Sequence, residues 1–101
     1  MVQLGGEAVR WVDDGCPGVV EVRFPDADGR RWSVIDKTTM FGATVRLDAD
    51  SPYPVPVEID CTVLDAGDDD VVTVSTWRPH HLETVCGRSE FRVRREQLRD
   101  A

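Results

Sequence analysis

The strongest constraint on the fold is the stretch from Val55 to Val63, in which apolar and polar side chains alternate strictly. Every second position is apolar, and the positions between them are Pro56, Glu58, Asp60 and Thr62. Because successive side chains of a β-strand point to opposite faces, this pattern is typical of a strand with one buried face and one face in water.

The same kind of pattern recurs along the chain. Seven stretches have the apolar content and spacing of strands: 7–12, 19–24, 30–35, 55–63, 71–77, 82–86 and 90–94. Tight-turn sequences around Gly29, Gly67 and Gly87 separate the second stretch from the third, the fourth from the fifth and the sixth from the seventh. We therefore expect three β-hairpins.

Short strands joined by turns, without a βαβ rhythm, predict an all-β domain over residues 1–101. We expect a small antiparallel barrel or sandwich of about six to seven strands, with an OB-like barrel as the nearest analogy. The buried face should contain Val57, Ile59, Val63, Val72, Val74, Phe91 and Val93. Little helix is expected, because only residues 94–99 have the composition of a helical turn.

The connection from residue 37 to residue 54 does not fit the regular spacing of the strands. It contains a possible short strand at 43–47 and ends in an extended, proline-containing segment with Pro52 and Pro54. A connection of this length in a small domain is either irregular or functional.

Charge is unevenly distributed along the sequence. The chain has a formal net charge of -7, and the segment 46–70 contains one arginine and eight carboxylates. A polyanion is disfavoured as a partner, and a basic protein is favoured. The residues that we expect to bind or steer such a partner lie in one turn: Asp68, Asp69 and Asp70.

Histidine and cysteine side chains provide the strongest hint of chemistry. His80 and His81 are adjacent, and Cys86 or Cys61 could lie near them in space. Neighbouring side chains of an extended chain point in opposite directions, and no two cysteines have the close spacing of a zinc clamp. We predict no metal site and no catalytic residue. Cys61 is in phase with the buried face of its strand, so we interpret it as a small core side chain.

Other sites that the sequence could suggest are weaker. The aspartates at 65–70 and 26–28 do not follow the pattern of a calcium-binding loop, and they are typical of solvated turns. The phosphate-binding, dinucleotide-binding, metalloprotease and hydrolase motifs are absent from the sequence. No cofactor is expected.

Aromatic and arginine residues alternate in a way that could stack single-stranded nucleic acid. The pairs are Trp32 with Arg30 and Arg31, Trp77 with Arg78, and Phe91 with Arg92 and Arg94. Strand alternation gives the same pattern, with aromatic side chains inside and arginines outside. Together with the negative net charge, this makes nucleic-acid binding the alternative interpretation.

Three segments resemble a group of small, uncharacterised actinobacterial proteins with a single domain: 11–22, 32–37 and 53–59. The arginine-rich, asparagine-free composition is likewise typical of a high-GC bacterium. The resemblance implies a single cytoplasmic domain and implies no activity.

The sequence thus predicts a small, acidic, non-enzymatic protein-binding module, for which an immunity-like protein is one example. A single-stranded nucleic-acid-binding barrel or a metal-dependent enzyme without a common motif is the alternative. The absence of a long apolar run predicts no membrane span, and the amino-terminal residues lack the pattern of a secretory signal, so a cytoplasmic location is expected. We expect a monomer or a symmetric homodimer, and the dimer would form by antiparallel pairing of an exposed strand edge if the barrel is not closed.

Overall fold

The fold was obtained as a computed structural model of the chain, which describes residues 1–43, 45–67 and 70–100. Its strands are β1 (Val2–Asp13), β2 (Val19–Pro25), β3 (Arg31–Lys37), β4 (Val55–Asp65), β5 (Val71–Ser75), β6 (Glu90–Arg94) and β7 (Leu98–Asp100). All strand pairs are antiparallel, and the only helical elements of the described residues are two three-residue 3₁₀ turns. The predicted all-β fold with little helix is confirmed.

The long strand β1 organises the sheet, whose order is β3-β2-β1-β4-β5-β6. Residues 2–8 of β1 pair with β4, and residues 7–13 pair with β2. β7 lies beside residues 2–4 of β1. Register shifts in β1 mark β-bulges, which bend a strand and increase its twist. The sheet therefore curls into a half-barrel.

Loops connect the two ends of the curled sheet. The Ala27 amide in the β2–β3 turn donates a hydrogen bond to the Arg92 carbonyl of β6 (2.8 Å). The Val85 amide donates to the Ser33 carbonyl of β3 (3.0 Å). The side of the barrel between β3 and β6 is bridged by loop backbone at these two points.

The core fills the inside of this barrel with aliphatic and aromatic side chains. The rings of Phe24 and Phe91 meet edge to face with centroids 5.0 Å apart, and Trp32 lies 5.5 Å from Phe91. Six of the seven predicted core residues are buried, as is Cys61: Val57, Ile59, Val72, Val74, Phe91 and Val93.

The prediction for Val63 is wrong, because its side chain is 38% exposed. Val63 pairs with Val74 at the last regular position before a register shift between Val63 and Asp65. The strand leaves the regular sheet there, and the inward alternation of β4 ends with Cys61.

The third hairpin is also formed differently from the prediction. Residues 82–86 are not a strand, because β5 pairs directly with β6 and residues 76–89 form the loop between them. The buried Thr76 folds this loop back on itself: its Oγ1 donates to the Leu82 carbonyl (2.9 Å), and the Leu82 amide donates to the Thr76 carbonyl (3.0 Å).

Two other predicted segments differ in detail. The turn expected at 94–99 is a 3₁₀ turn over Arg95–Gln97 followed by β7, a strand too short to produce periodicity in the sequence. The described residues of 43–47 form no strand; instead, Gly42 makes an isolated bridge to Glu58.

A matched pair of isoleucines tests the inward face. Ile59 is fully buried, whereas Ile35 on the outer face of β3 is 37% exposed. We expect Ile59→Ala to lower the free energy of unfolding by about 2–5 kcal/mol, because it removes buried methyl groups and leaves a cavity. Ile35→Ala should cost clearly less. Denaturant unfolding of both variants checks this, and equal losses would contradict the assigned faces.

A buried carboxylate on the outer face of β2 gives a pH-dependent prediction. Burial raises the pKa of Glu21, but hydrogen bonds from Ser33, Arg10 and Arg23 outweigh it, so the pKa lies below its ordinary value of 4.5. A carboxylate whose pKa is lower in the folded protein than in the unfolded protein stabilises the fold at pH values above its unfolded pKa. This stabilisation disappears as the pH falls through the folded pKa.

We therefore expect Glu21→Gln to destabilise the protein by about 1–2 kcal/mol at neutral pH, because charge-assisted hydrogen bonds are lost. The difference from wild type should shrink below about pH 4.5, where the unfolded carboxylate becomes protonated. Urea unfolding of both proteins from pH 3 to pH 7 measures the difference in their free energies of unfolding. A difference that does not change with pH would contradict the assigned role of Glu21.

Candidate functional site

A wide, open depression of about 820 Å³ lies between the β1–β2 turn and the long connection after β3. We call it the 11–50 groove. It is lined on one side by Trp11 and residues 14–18 and on the other by Thr38, Thr39, Phe41, Ala43 and residues 45–50. Two segments that are distant in the sequence thus form one surface.

The end of β1 builds the first wall of the groove. The Trp11 ring packs onto Gly18, where a Cβ atom would overlap the indole. Its Nε1 donates a hydrogen bond to the Asp14 carboxylate (2.7 Å). Glycine is thus needed at position 18 for the close approach of the ring, and the turn is fixed against the tryptophan.

The long connection builds the second wall, and local hydrogen bonds order it. The Asp48 amide donates to Ser51 Oγ, the Asp50 amide donates to Asp48 Oδ1 (both 2.9 Å), and the Tyr53 hydroxyl donates to the Asp48 carbonyl (2.6 Å). Burial and the nearby Asp48 charge raise the pKa of Tyr53 despite a hydrogen bond with Ser51. The hydroxyl therefore remains a neutral donor.

The lining combines an apolar floor with a negative rim. Phe41 and Leu47 are nearly buried, and Val45 is 53% exposed. Three carboxylates line the groove, Asp14, Asp48 and Asp50, against one cation, Arg46. Such a surface suits a ligand that presents both cationic and apolar groups.

The turn predicted to bind a partner is described only in part, because Asp68 and Asp69 lie outside the described residues. Asp70 is exposed, and its carbonyl accepts a hydrogen bond from the Arg95 amide (2.7 Å). Arg95 also donates to the Ala66 carbonyl (2.9 Å). Ala66 and Asp70, which flank the undescribed residues, therefore both contact Arg95 in the basic carboxyl-terminal segment.

The histidines and Cys86 have separate partners. His80 Nε2 lies 3.0 Å from Asp60 Oδ2, whereas His81, with a φ of 57°, places its ring 4.9 Å from the Trp77 ring. Cys86 Sγ lies 3.2 Å from Thr84 Oγ1. In the part of the chain that the structure describes, no three histidine, cysteine, aspartate or glutamate side chains form a metal-binding group.

The aromatic residues that alternate with arginine are mostly internal. Trp32 is 7% and Phe91 1% exposed, whereas Trp77 is 46% exposed. The guanidinium carbons of Arg30 and Arg88 each lie 4.6 Å from the Trp32 ring centroid. The buried Trp32 ring is therefore covered by exposed arginines in cation–π contacts within the chain and does not form a stacking platform.

Sequence reasoning missed Trp11 at the wall of the groove and Phe41 and Leu47 at its floor, although the length of the 37–54 connection marks the region of the last two as unusual. Separately, no family model, curated protein or solved structure matches this chain. Nor does any helix in the described ranges have the length and apolar character required to cross a bilayer.

Thiol labelling tests this arrangement. Cys16 in the groove and Cys86 are exposed, whereas Cys61 is buried; desolvation and the neighbouring Asp60 charge raise its pKa to about 11. Because the thiolate is the reactive form, Cys16 and Cys86 should react with an aromatic disulfide reagent in the native state at neutral pH, and Cys61 only after unfolding. Fast reaction of all three would place Cys61 outside the core.

Proposed function

We propose that the protein is a small, non-enzymatic, cytoplasmic binding module that holds a basic protein partner in the 11–50 groove. The observation that carries the proposal is the combination of an apolar floor, Phe41 and Leu47, with a rim of three carboxylates and one cation. A role of the immunity-protein kind, in which an acidic protein covers a basic one, has the same electrostatic requirements.

The shape of the groove favours a protein segment over a small molecule. Sites for small ligands bury roughly 70–90% of the ligand and are mostly apolar. This groove is open, and its rim residues Asp14, Asp48 and Asp50 are exposed. A half-buried tryptophan, Trp11, lies at one wall, and tryptophan is enriched among the residues that dominate binding energy at protein interfaces.

The charge of the groove disfavours the nucleic-acid alternative. Phosphate recognition requires positive charge, and the groove has more carboxylates than cations. The net charge of -7 also repels a polyanion such as nucleic acid at longer range. A basic protein is therefore the occupant that this surface supports best.

The test compares variants with equal numbers of charges removed. Asp48→Asn with Asp50→Asn neutralises the groove rim and keeps the oxygen that accepts the Asp50 amide. Asp28→Asn with Glu83→Gln removes two exposed charges from loops outside the groove lining. Wild type and both variants are used to capture partners from native cells, and a captured basic protein is purified for kinetics.

We expect the groove variant to associate roughly two- to tenfold more slowly at about 0.01 M ionic strength, where the Debye length is ~30 Å, with the difference disappearing at high salt. The control variant should remain close to wild type. Equal rates for all three proteins, or a captured partner without a basic surface, would overturn the proposal.

The turn at 68–70 has a separate part in the proposal, that of steering the partner from a distance. Replacing Asp68, Asp69 and Asp70 with serine should slow association at low salt and leave the dissociation rate unchanged, because steering charges act on encounter. An unchanged association rate would reject this part and leave the groove assignment intact.

A further inference from the structure

One carboxylate on the outer face of β4 lacks a partner. Glu58 Oε2 is buried and accepts no hydrogen bond from any described residue. Two residues along the same face, both oxygens of Asp60 are used: Oδ1 accepts from Gln3 Nε2 (3.2 Å), and Oδ2 contacts His80. Buried polar atoms are nearly always hydrogen-bonded, so this oxygen is available to a donor from outside the chain.

The carboxylate belongs to a small cavity of about 170 Å³, which we call the Glu58 notch. Its lining includes three glycines, Gly5, Gly6 and Gly42, together with Glu58 and Arg99. The Glu58 amide donates a hydrogen bond to the Gly42 carbonyl (2.7 Å), and the Gly42 amide donates one to the Glu58 carbonyl (2.9 Å). Both backbone groups of Glu58 therefore face Gly42.

Because those groups face Gly42, the pair of Glu58 with Gly5 is the close, non-hydrogen-bonded kind, with Cα atoms roughly 4.5 Å apart. Side chains would be closest at such a pair, and glycine leaves the space empty. A Cβ atom on Gly5 or Gly42 would make only ordinary contacts at 3.7 Å, so packing alone does not require glycine at either position.

The chemistry of the notch selects an organic cation. Calcium and magnesium require six or more oxygens, and the described residues offer no group of three ligating side chains. A single buried carboxylate oxygen in a small cavity suits a compact donor such as an ammonium group. Arg99 lines the notch without an ion pair to Glu58 among the described contacts.

The notch adjoins the 11–50 groove, and Ala43 lines both. We propose that the Glu58 notch receives the ammonium group of a lysine side chain from the partner whose chain lies in the groove. This inference rests on the proposed function, since it assumes a basic protein partner, and it identifies one residue type that the partner must present.

The notch can be tested without the partner, using a neutral-ended tripeptide of alanine, lysine and alanine as the probe. The amides of Gly5, Gly6 and Gly42 report on the cavity by nuclear magnetic resonance. We expect saturable shifts of these signals with the lysine peptide and none with a leucine peptide of the same length. Arginine in place of lysine should bind more weakly, because its guanidinium group is larger.

Variants of the notch separate the carboxylate from the space around it. Glu58→Gln should weaken binding roughly tenfold or more, since it removes the charge from a partly buried pair. Gly42→Ala should also weaken it by filling the cavity, and its modest contacts make it a variant that folds. Glu7→Gln, which removes an exposed charge from the outer face of β1, should bind like wild type.

Equal shifts in wild type and Glu58→Gln, or no saturable shift in wild type, would overturn the proposal. If binding appears only in Arg99→Gln, Arg99 is the internal partner of Glu58 and the proposal is likewise overturned. Because the probe is independent of the captured protein, failure at the notch leaves the groove experiment to decide the proposed function, and the reverse also holds.

Discussion

The double pairing of β1 is the constraint on which the other features depend. One strand holds β4 along residues 2–8 and β2 along residues 7–13, and register shifts at Ala8/Arg10 and Trp11/Asp13 bend it along the part that pairs with β2. On the edge of β1 opposite β4, the neighbouring strand changes from β7 to β2, and Gly5 and Gly6 lie at this change. A Cβ on Gly6 would approach the Arg23 carbonyl to 3.1 Å, so the crossing is tightly packed there. The same strand contributes Trp11 to the groove and Gly5 to the notch.

The parts of the fold that the sequence predicts well are those set by local pattern. Alternation from Val55 to Cys61 and the turn at Gly29, whose φ is 82°, correctly identify β4 and the β2–β3 hairpin. The prediction of a strand at 82–86 is wrong, and the reason lies in how these residues are buried. Leu82 and Thr84 are buried at period two, as in a strand, but their burial results from a loop packed over the barrel rather than from a ladder.

The groove and the notch could not be predicted, because each joins residues that are far apart in sequence. Nothing local to Gly18 indicates that Trp11 will cover it, and nothing near Glu58 indicates that Gly42 will take both of its backbone hydrogen bonds. The chain length of the 37–54 connection was the available signal. It marked the region without indicating the wall that it would form.

The carboxylates of this chain differ in the contacts that they make. Those contacts decide which carboxylates are available to a partner. Asp26 accepts hydrogen bonds from two turn amides and Trp32, and although burial raises its pKa, these bonds bring the pKa below its ordinary value. Asp60 is paired with Gln3 and His80. These groups complete the fold, because their carboxylates are engaged by donors within the chain.

Asp50 and Glu58 are the contrasting cases, since neither side chain has a hydrogen-bonding partner among the described residues. One lies on the rim of the groove and the other in the notch, and the segment around Ala43 separates them. Since Gly42 is tied to β4 by two backbone hydrogen bonds, this shared wall is held by the sheet rather than by a loop alone. Rigid elements position binding groups more accurately than loops do. The strand β4 therefore links the most regular part of the sequence to the surface on which Asp50 and Glu58 lie without partners among the described residues.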